Sequence, residues 1–242
     1  MINTPGSTPE KIAEHKPRPL IDMIFSIVVP SVILMKFSGE GDLGATTALL
    51  LALSFTLCLG IFELFKYRKF NFIALLGLIS VLLTGGIGLL QLDTQWLAVK
   101  EAAIPAVIGI GVLVSTQTRY PLIKTLLYNP KIMQVDKIRL KLDERDNAVV
   151  FEARLLKATY LLGSTFFFSA VMNYVLAKWI VTSPTGSAEF NEQFGQMTLL
   201  SYPMIAIPSM AMMLAIFYYL WRTIHGLTGL ALEDILHVPE KK

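Results

Sequence analysis

The sequence predicts an all-α, polytopic transmembrane helix bundle with six spans, and three observations indicate it. Hydrophobic residues make up 54% of the 242 residues and charged residues only 16%, against roughly 25% in an ordinary soluble domain. Residues 70–92 carry no charged side chain, over a length that suits a helix crossing a bilayer. Further apolar runs are separated by polar segments. The main partner predicted is therefore the lipid bilayer.

The chain begins with a polar segment, residues 1–19, which contains four prolines. This composition predicts a flexible leader outside the bundle. The first apolar run, residues 20–37, is interrupted by Asp22 near its start and by Pro30 in its middle. Two interpretations of that run remain open: it crosses the bilayer, or it forms a short re-entrant helix.

The other five predicted spans are more uniform. They are residues 44–65, 70–92, 102–118, 155–177 and 199–221. Together with the first run they form a predicted bundle over residues 20–222. Four prolines in these spans predict kinked helices, because proline removes a backbone donor inside a helix; they are Pro30, Pro105, Pro203 and Pro208.

A charged insertion, residues 119–154, interrupts the bundle. Its part from 131 to 152 predicts a soluble amphipathic helix, with one apolar face at helical spacing. That face consists of Ile132, Val135, Ile138 and Leu142. It either docks a protein partner or folds back on the ends of the bundle helices. A polar tail, residues 223–242, completes the chain.

The distribution of cations predicts the orientation of the spans. Eighteen of the 21 lysines and arginines fall on one side of the six-span arrangement, and only Lys36, Lys100 and Lys178 fall on the other. Because cytoplasmic loops carry the excess of basic residues, this split predicts that both termini lie in the cytoplasm.

Two sets of residues inside the spans are candidates for packing or binding. Gly85, Gly86 and Gly88 end the third span; they either let two helices approach closely or form an unwound segment that binds a substrate. Asn173 is an amide within the fifth span. Its side chain predicts an interhelical hydrogen bond, with a ligand contact as the alternative.

No pattern of enzymatic or cofactor chemistry is recognisable in the sequence. The motifs HExxH, GxSxG and the Walker loop are absent, and the three histidines lie far apart. The single cysteine excludes an intramolecular disulfide. The sequence shows no basic surface interleaved with aromatic residues, so it does not predict nucleic-acid binding. We therefore expect a protein that is not an enzyme, with no catalytic residue, cofactor or metal site.

Several segments in one order resemble the bacterial septation protein A family. They are TTALLLALSFTLCLGIFELFKYRKF, TGGIGLL, QLDTQWLAVKEA and RYPLIKTLL, within residues 20–128. The matching positions are Gly85, Gly86, Trp96, Lys100, Pro121, Leu122 and Ile123. The likeness extends more faintly over residues 155–222, including Asn173, and departs at the leader and at the charged insertion 131–152. The chain is also similar to a family of proteobacterial membrane proteins that share the TGGIGLL and FNE segments.

The resemblance implies a multi-pass protein of the bacterial inner membrane that supports cell-envelope integrity or division through membrane or cytoplasmic protein partners. The oligomeric state is left open. The alternative function is a small transporter or a lipid-handling protein with a site between kinked helices. A polar cavity near Asn173 and Gly85 would favour this alternative, and a sealed apolar bundle would count against it.

Overall fold

The computed structural model describes residues 27–67, 72–118, 122–123, 128–130 and 133–236. Within these ranges the fold is all-helical, and its only β-structure is an isolated antiparallel bridge between Met133 and Leu236. The predicted fold class is confirmed at this level. The leader 1–19, Ile132 and the last six residues lie outside the described ranges.

The helices follow one another along the chain with short connections. They are α1 (Val29–Lys36), α2 (Ala45–Tyr67), α3 (Phe72–Leu89), α4 (Gln95–Ser115), α5 (Val135–Glu144), α6 (Ala148–Ile180), α7 (Ala188–Ser201), α8 (Ile207–Thr228) and α9 (Leu232–Ile235). A π-helical turn, Tyr202–Ala206, joins α7 to α8.

Three helices are long and apolar enough to cross a membrane. They are α4, α6 and the continuous helix Ala188–Thr228 that α7, the π turn and α8 form. Shorter apolar stretches, Ala45–Cys58 and Leu75–Leu89, lie in α2 and α3. In both the long helices and the shorter stretches, many large apolar side chains are exposed, among them Leu82, Val107, Ile110, Met210 and Leu214. Such exposure is costly in water, so these helices fit a lipid surrounding.

The helix boundaries differ from the predicted spans in four places. The predicted span 199–221 lies in the continuous helix Ala188–Thr228, which begins 11 residues earlier. The described part of the first run contains only α1, whose eight residues extend over about 12 Å. Helix α4 begins at Gln95 rather than at 102, so the loop between α3 and α4 is short. Helix α6 begins at Ala148 and extends the fifth span by more than a turn. In α4 and α6, charged or polar residues that the prediction placed outside the spans belong to a helix.

One of the predicted kink prolines lies in the π turn and another lies just after it. Pro203 is near the start of the turn, and Pro208 follows it at the start of α8. A proline ring inside a helix clashes with the carbonyl four residues earlier, and for Pro208 that residue is Met204 in the turn. The wider π turn closes with a hydrogen bond from Ile207 N to Tyr202 O. Proline and π turns are the common causes of irregular helix geometry.

Helices α5 and α9 pack on the ends of α6 and α8 in an apolar group that we call the tail cluster. It includes Ile138, Leu142, Phe151, Leu155, Leu220, Ile224 and Ile235. Helix α5 ends in a turn with Asp146 in the left-handed region (φ 51°), where Asn147 N donates to Leu142 O at 2.9 Å. This hydrogen bond is that of a Schellman motif. It ends α5 and allows α6 to begin at Ala148.

The tail is tied to α5 by main-chain and side-chain bonds. Gln134 N donates to Ile235 O at 2.8 Å, and Lys137 pairs with Asp234 at 2.6 Å. Tyr128 packs its ring on Phe151, with 5.1 Å between the centroids. Burial raises the pKa of Tyr128 to about 12, because an apolar surrounding disfavours the charged phenolate.

Candidate functional site

Lys100 lies in the second turn of α4, and its residue surface is only 7% exposed. Its ammonium group donates to Thr84 Oγ1 at 2.7 Å and to Ser80 Oγ at 3.2 Å, both on α3. It also forms an ion pair with Glu101 Oε1 at 2.6 Å. An ammonium group has three donors, so these three acceptors use all of them.

The Lys100–Glu101 pair belongs to a helix that is apolar enough to span a membrane. Removing two charges from water costs several kcal/mol per ion, and the attraction between them offsets this cost only partly. Ionisable residues inside such helices therefore commonly mark ligand or ion sites. We infer that stability alone does not account for this pair.

The ion pair lines a partly open cavity of about 240 Å³. The cavity walls come from α1, α2, α3, α4, α6 and α7. Seven hydroxyl or amide side chains line it beside the ion pair, namely Ser31, Thr56, Ser80, Thr84, Asn173, Thr198 and Ser201. The remaining wall is apolar and includes Leu34, Val81 and Phe194. A mostly apolar hollow with convergent polar groups is the usual form of a small-molecule site.

A second, more open cavity of about 350 Å³ lies between α6, the π turn and α8. Asn173 and Ser201 line both cavities. The wall of the second cavity also carries Ser169 and Ser209, whose hydroxyl oxygens are 3.1 Å apart. The two hollows therefore adjoin each other at Asn173 and Ser201.

Asn173 forms its hydrogen bond within its own helix. Its amide nitrogen donates to Ser169 O at 2.8 Å, and among the described residues no bond to another helix is found. The predicted interhelical hydrogen bond is therefore not the arrangement seen. The alternative, a ligand contact, fits better because the side chain lies between the two cavities.

The three glycines of α3 differ in what surrounds them. A Cβ atom at Gly88 would lie 2.4 Å from Leu49 Cδ2, and one at Gly85 would lie 3.0 Å from Leu53 Cδ1. At Gly86 a Cβ atom would meet nothing within 4 Å. Close packing on α2 therefore occurs at Gly85 and Gly88 and not at Gly86. Helix α3 is continuous through all three positions, so the unwound binding segment is not formed.

The predicted docking face of residues 131–152 is covered by the chain itself. Ile138 and Leu142 are 0% and 3% exposed in the tail cluster, and Val135 packs against that cluster. Ile132 lies outside the described residues. The docking interpretation is corrected for these positions in favour of the fold-back alternative, because α8 and α9 already cover the apolar face of α5.

Lys100 and Glu101 are the residues that the sequence reasoning missed. Both lie between the predicted spans 70–92 and 102–118, so Lys100 entered only the cation distribution and the matching positions of the family resemblance, and Glu101 entered neither. One signal was available: from Gln95 up to Pro105 the sequence contains neither glycine nor proline. An uninterrupted helix could therefore begin before the two charges.

Within the described ranges, no group of three His, Cys, Asp or Glu side chains is arranged to hold a metal ion. The comparisons with known proteins give no relative: no family model, no curated protein and no solved structure matches the chain. The candidate site therefore stands on its own geometry.

Proposed function

We propose that this protein binds a small polar solute between its helices and moves it across the membrane. The observation that carries the proposal is the Lys100–Glu101 ion pair of an apolar helix, in which Lys100 is buried and Glu101 partly exposed, and which faces a cavity of about 240 Å³. The sequence left transport as an alternative to be favoured by a polar cavity near Asn173 and Gly85. The cavity is lined by Asn173 and by Thr84, the neighbour of Gly85.

A six-span topology in the bacterial inner membrane, with both termini in the cytoplasm, is part of the same proposal. Its support is the distribution of lysine and arginine, eighteen of which fall on one side. The role in envelope integrity or division through protein partners stays a prediction from the resemblance to the septation protein A family.

The proposal requires that water and solutes reach the cavity from outside the protein. Val81 lines the cavity, whereas its neighbour Leu82 points an exposed apolar side chain away from it. Cysteine can be placed at either position after the native Cys58 is changed to alanine. A small, uncharged and water-soluble reagent, hydroxyethyl methanethiosulfonate, reacts with the thiolate form, which needs water to ionise.

We expect the Val81→Cys thiol to react with this reagent in intact membranes, and the matched Leu82→Cys thiol to remain unmodified in lipid. Mass spectrometry of the purified variants measures the modified fraction. A Val81→Cys thiol as unreactive as Leu82→Cys would mean a sealed bundle and would overturn the proposal.

A further inference from the structure

Four of the six hydroxyl donors of the cavity wall are already used by the backbone. Four hydroxyl groups of the wall each donate to the main-chain oxygen three or four residues before them: Thr56 at 3.2 Å, Thr84 at 3.0 Å, Thr198 at 2.9 Å and Ser201 at 2.7 Å. A hydroxyl group has one hydrogen and two lone pairs. Each of these side chains can therefore offer only acceptors to a molecule in the cavity.

Asn173 offers its acceptor to the cavity for a related reason. A carbonyl oxygen cannot donate, so the atom that contacts Ser169 O at 2.8 Å is the amide nitrogen. This bond fixes the orientation of the amide and leaves the amide oxygen, together with the second N–H, for a ligand. The Asn173 side chain thus adds an acceptor to the same wall.

The ion pair adds further acceptors but no net charge. Lys100 has no donor left beyond its three partners. Glu101 uses one carboxylate oxygen for Lys100 and is still partly exposed, and a carboxylate has about four acceptor sites. The charges of Lys100 and Glu101 cancel, so the pair leaves no free counter-charge in the cavity. Burying a ligand with a net charge there would therefore cost free energy.

We infer that the cavity takes an uncharged molecule rich in hydrogen-bond donors, of the size and chemistry of a small polyol. Hydroxyl groups of such a ligand donate to the acceptors of the wall and to Glu101. The carbon skeleton contacts the apolar part of the wall, including Leu34 and Phe194. This inference rests on the proposed function and names the substrate class of the same site.

The test uses the Val81→Cys variant, with Cys58 changed to alanine, in membrane vesicles. The rate of thiol modification is measured at equal osmolality with erythritol, a polyol, with betaine, a zwitterion without donors, and with choline, a cation. We expect erythritol to slow the modification, and betaine and choline to leave the rate unchanged. Slowing by betaine or choline but not by erythritol would overturn the inference.

Removing single acceptors gives an independent check on the same variant. Thr56→Val and Thr198→Val keep the shape of the side chain and remove its oxygen. Each is expected to raise the half-protecting erythritol concentration about fivefold, the effect of one hydrogen bond. Thr165→Val is the matched control, because Thr165 donates to Leu162 O on α6 and lines neither cavity. Equal protection in all three variants would contradict the inference.

The two proposals fail in different ways. A Val81→Cys thiol that does not react at all removes the solute-accessible site and the proposed function with it. A reactive thiol that erythritol does not protect leaves the cavity in place and removes only the polyol class.

Discussion

Two lysine–carboxylate ion pairs in this protein have the same nitrogen–oxygen distance, 2.6 Å, in opposite surroundings. The side chains of Lys100 and Glu101 are 6% and 20% exposed beside the cavity, whereas those of Lys137 and Asp234 are 43% and 47% exposed on the tail cluster. An exposed pair is screened and contributes little. A buried pair costs more desolvation than its attraction returns. The comparison shows that the nitrogen–oxygen distance alone does not separate a buried ion pair from an exposed one.

The largest expected effect comes from leaving one buried charge alone. Glu101→Leu removes the counter-charge of Lys100 but keeps its hydroxyl partners. We expect the free energy of unfolding in detergent to fall by about 3–5 kcal/mol, the usual cost of breaking a buried pair. Chemical denaturation monitored by tryptophan fluorescence measures it. If Glu101→Leu lowers the free energy of unfolding no more than Asp234→Asn does, the buried and the exposed ion pair do not differ in energy as expected.

The tail cluster is expected to respond to loss of apolar volume instead. Leu142 is 3% exposed among the residues that cover α5. Leu142→Ala should lower the free energy of unfolding by about 2–5 kcal/mol, because it leaves a cavity. The exposed Leu140→Ala on the same helix is the matched control, with little change expected. If Leu142→Ala keeps its stability and loses a bound protein partner, the docking interpretation returns.

The contact between α2 and α3, next to the cavity, is expected to respond to added volume. Gly88→Ala places a methyl group 2.4 Å from Leu49 Cδ2, and overpacking costs about 1–3 kcal/mol. Part of that cost is relieved because the Leu49 side chain can move. Gly86→Ala meets open space and should leave the melting temperature unchanged. A larger drop in melting temperature for Gly86→Ala than for Gly88→Ala would mean that α2 and α3 pack differently.

The smallest effect is expected at the exposed ion pair. A hydrogen bond and charge from Lys137 lower the pKa of the Asp234 carboxyl below its ordinary value of 3.8. Because folding lowers this pKa, the pair stabilises the fold above pH 3.8, and the contribution is lost as the pH falls through the folded-state pKa. Asp234→Asn should lower the melting temperature slightly at neutral pH. A difference from wild type that persists unchanged in strong acid would contradict this cause.

The sequence predicted the helices well and the site poorly, for physical reasons. Apolar runs such as residues 70–92 specify a helix locally, so α2, α3, α4, α6 and α8 lie where the runs are. The apolar face of α5 was visible at helical spacing, but its cover, Leu220 and Ile235, is distant in sequence. The three closely spaced glycines predicted a close helix contact, yet only the position of α2 decides that Gly85 and Gly88 make it and Gly86 does not.

Lys100 illustrates the remaining difficulty. Its side chain is buried only because α3 carries Ser80 and Thr84 one turn apart, facing α4. The spacing of four residues between the two hydroxyls predicts a helix-packing face but no lysine partner, since threonine and serine in apolar helices commonly bond their own backbone. The acceptor-rich wall likewise depends on six helices meeting, and no local pattern predicts it.

The measurement that tests the central claim most directly replaces both charges at once. Lys100→Met with Glu101→Leu substitutes apolar side chains of similar volume for the ion pair, in the Val81→Cys background. If the pair serves the site rather than the fold, the free energy of unfolding of this double variant equals or exceeds that of the parent. Erythritol then no longer protects the Val81→Cys thiol. A double variant as unstable as Glu101→Leu alone, with erythritol protection intact, would contradict the account.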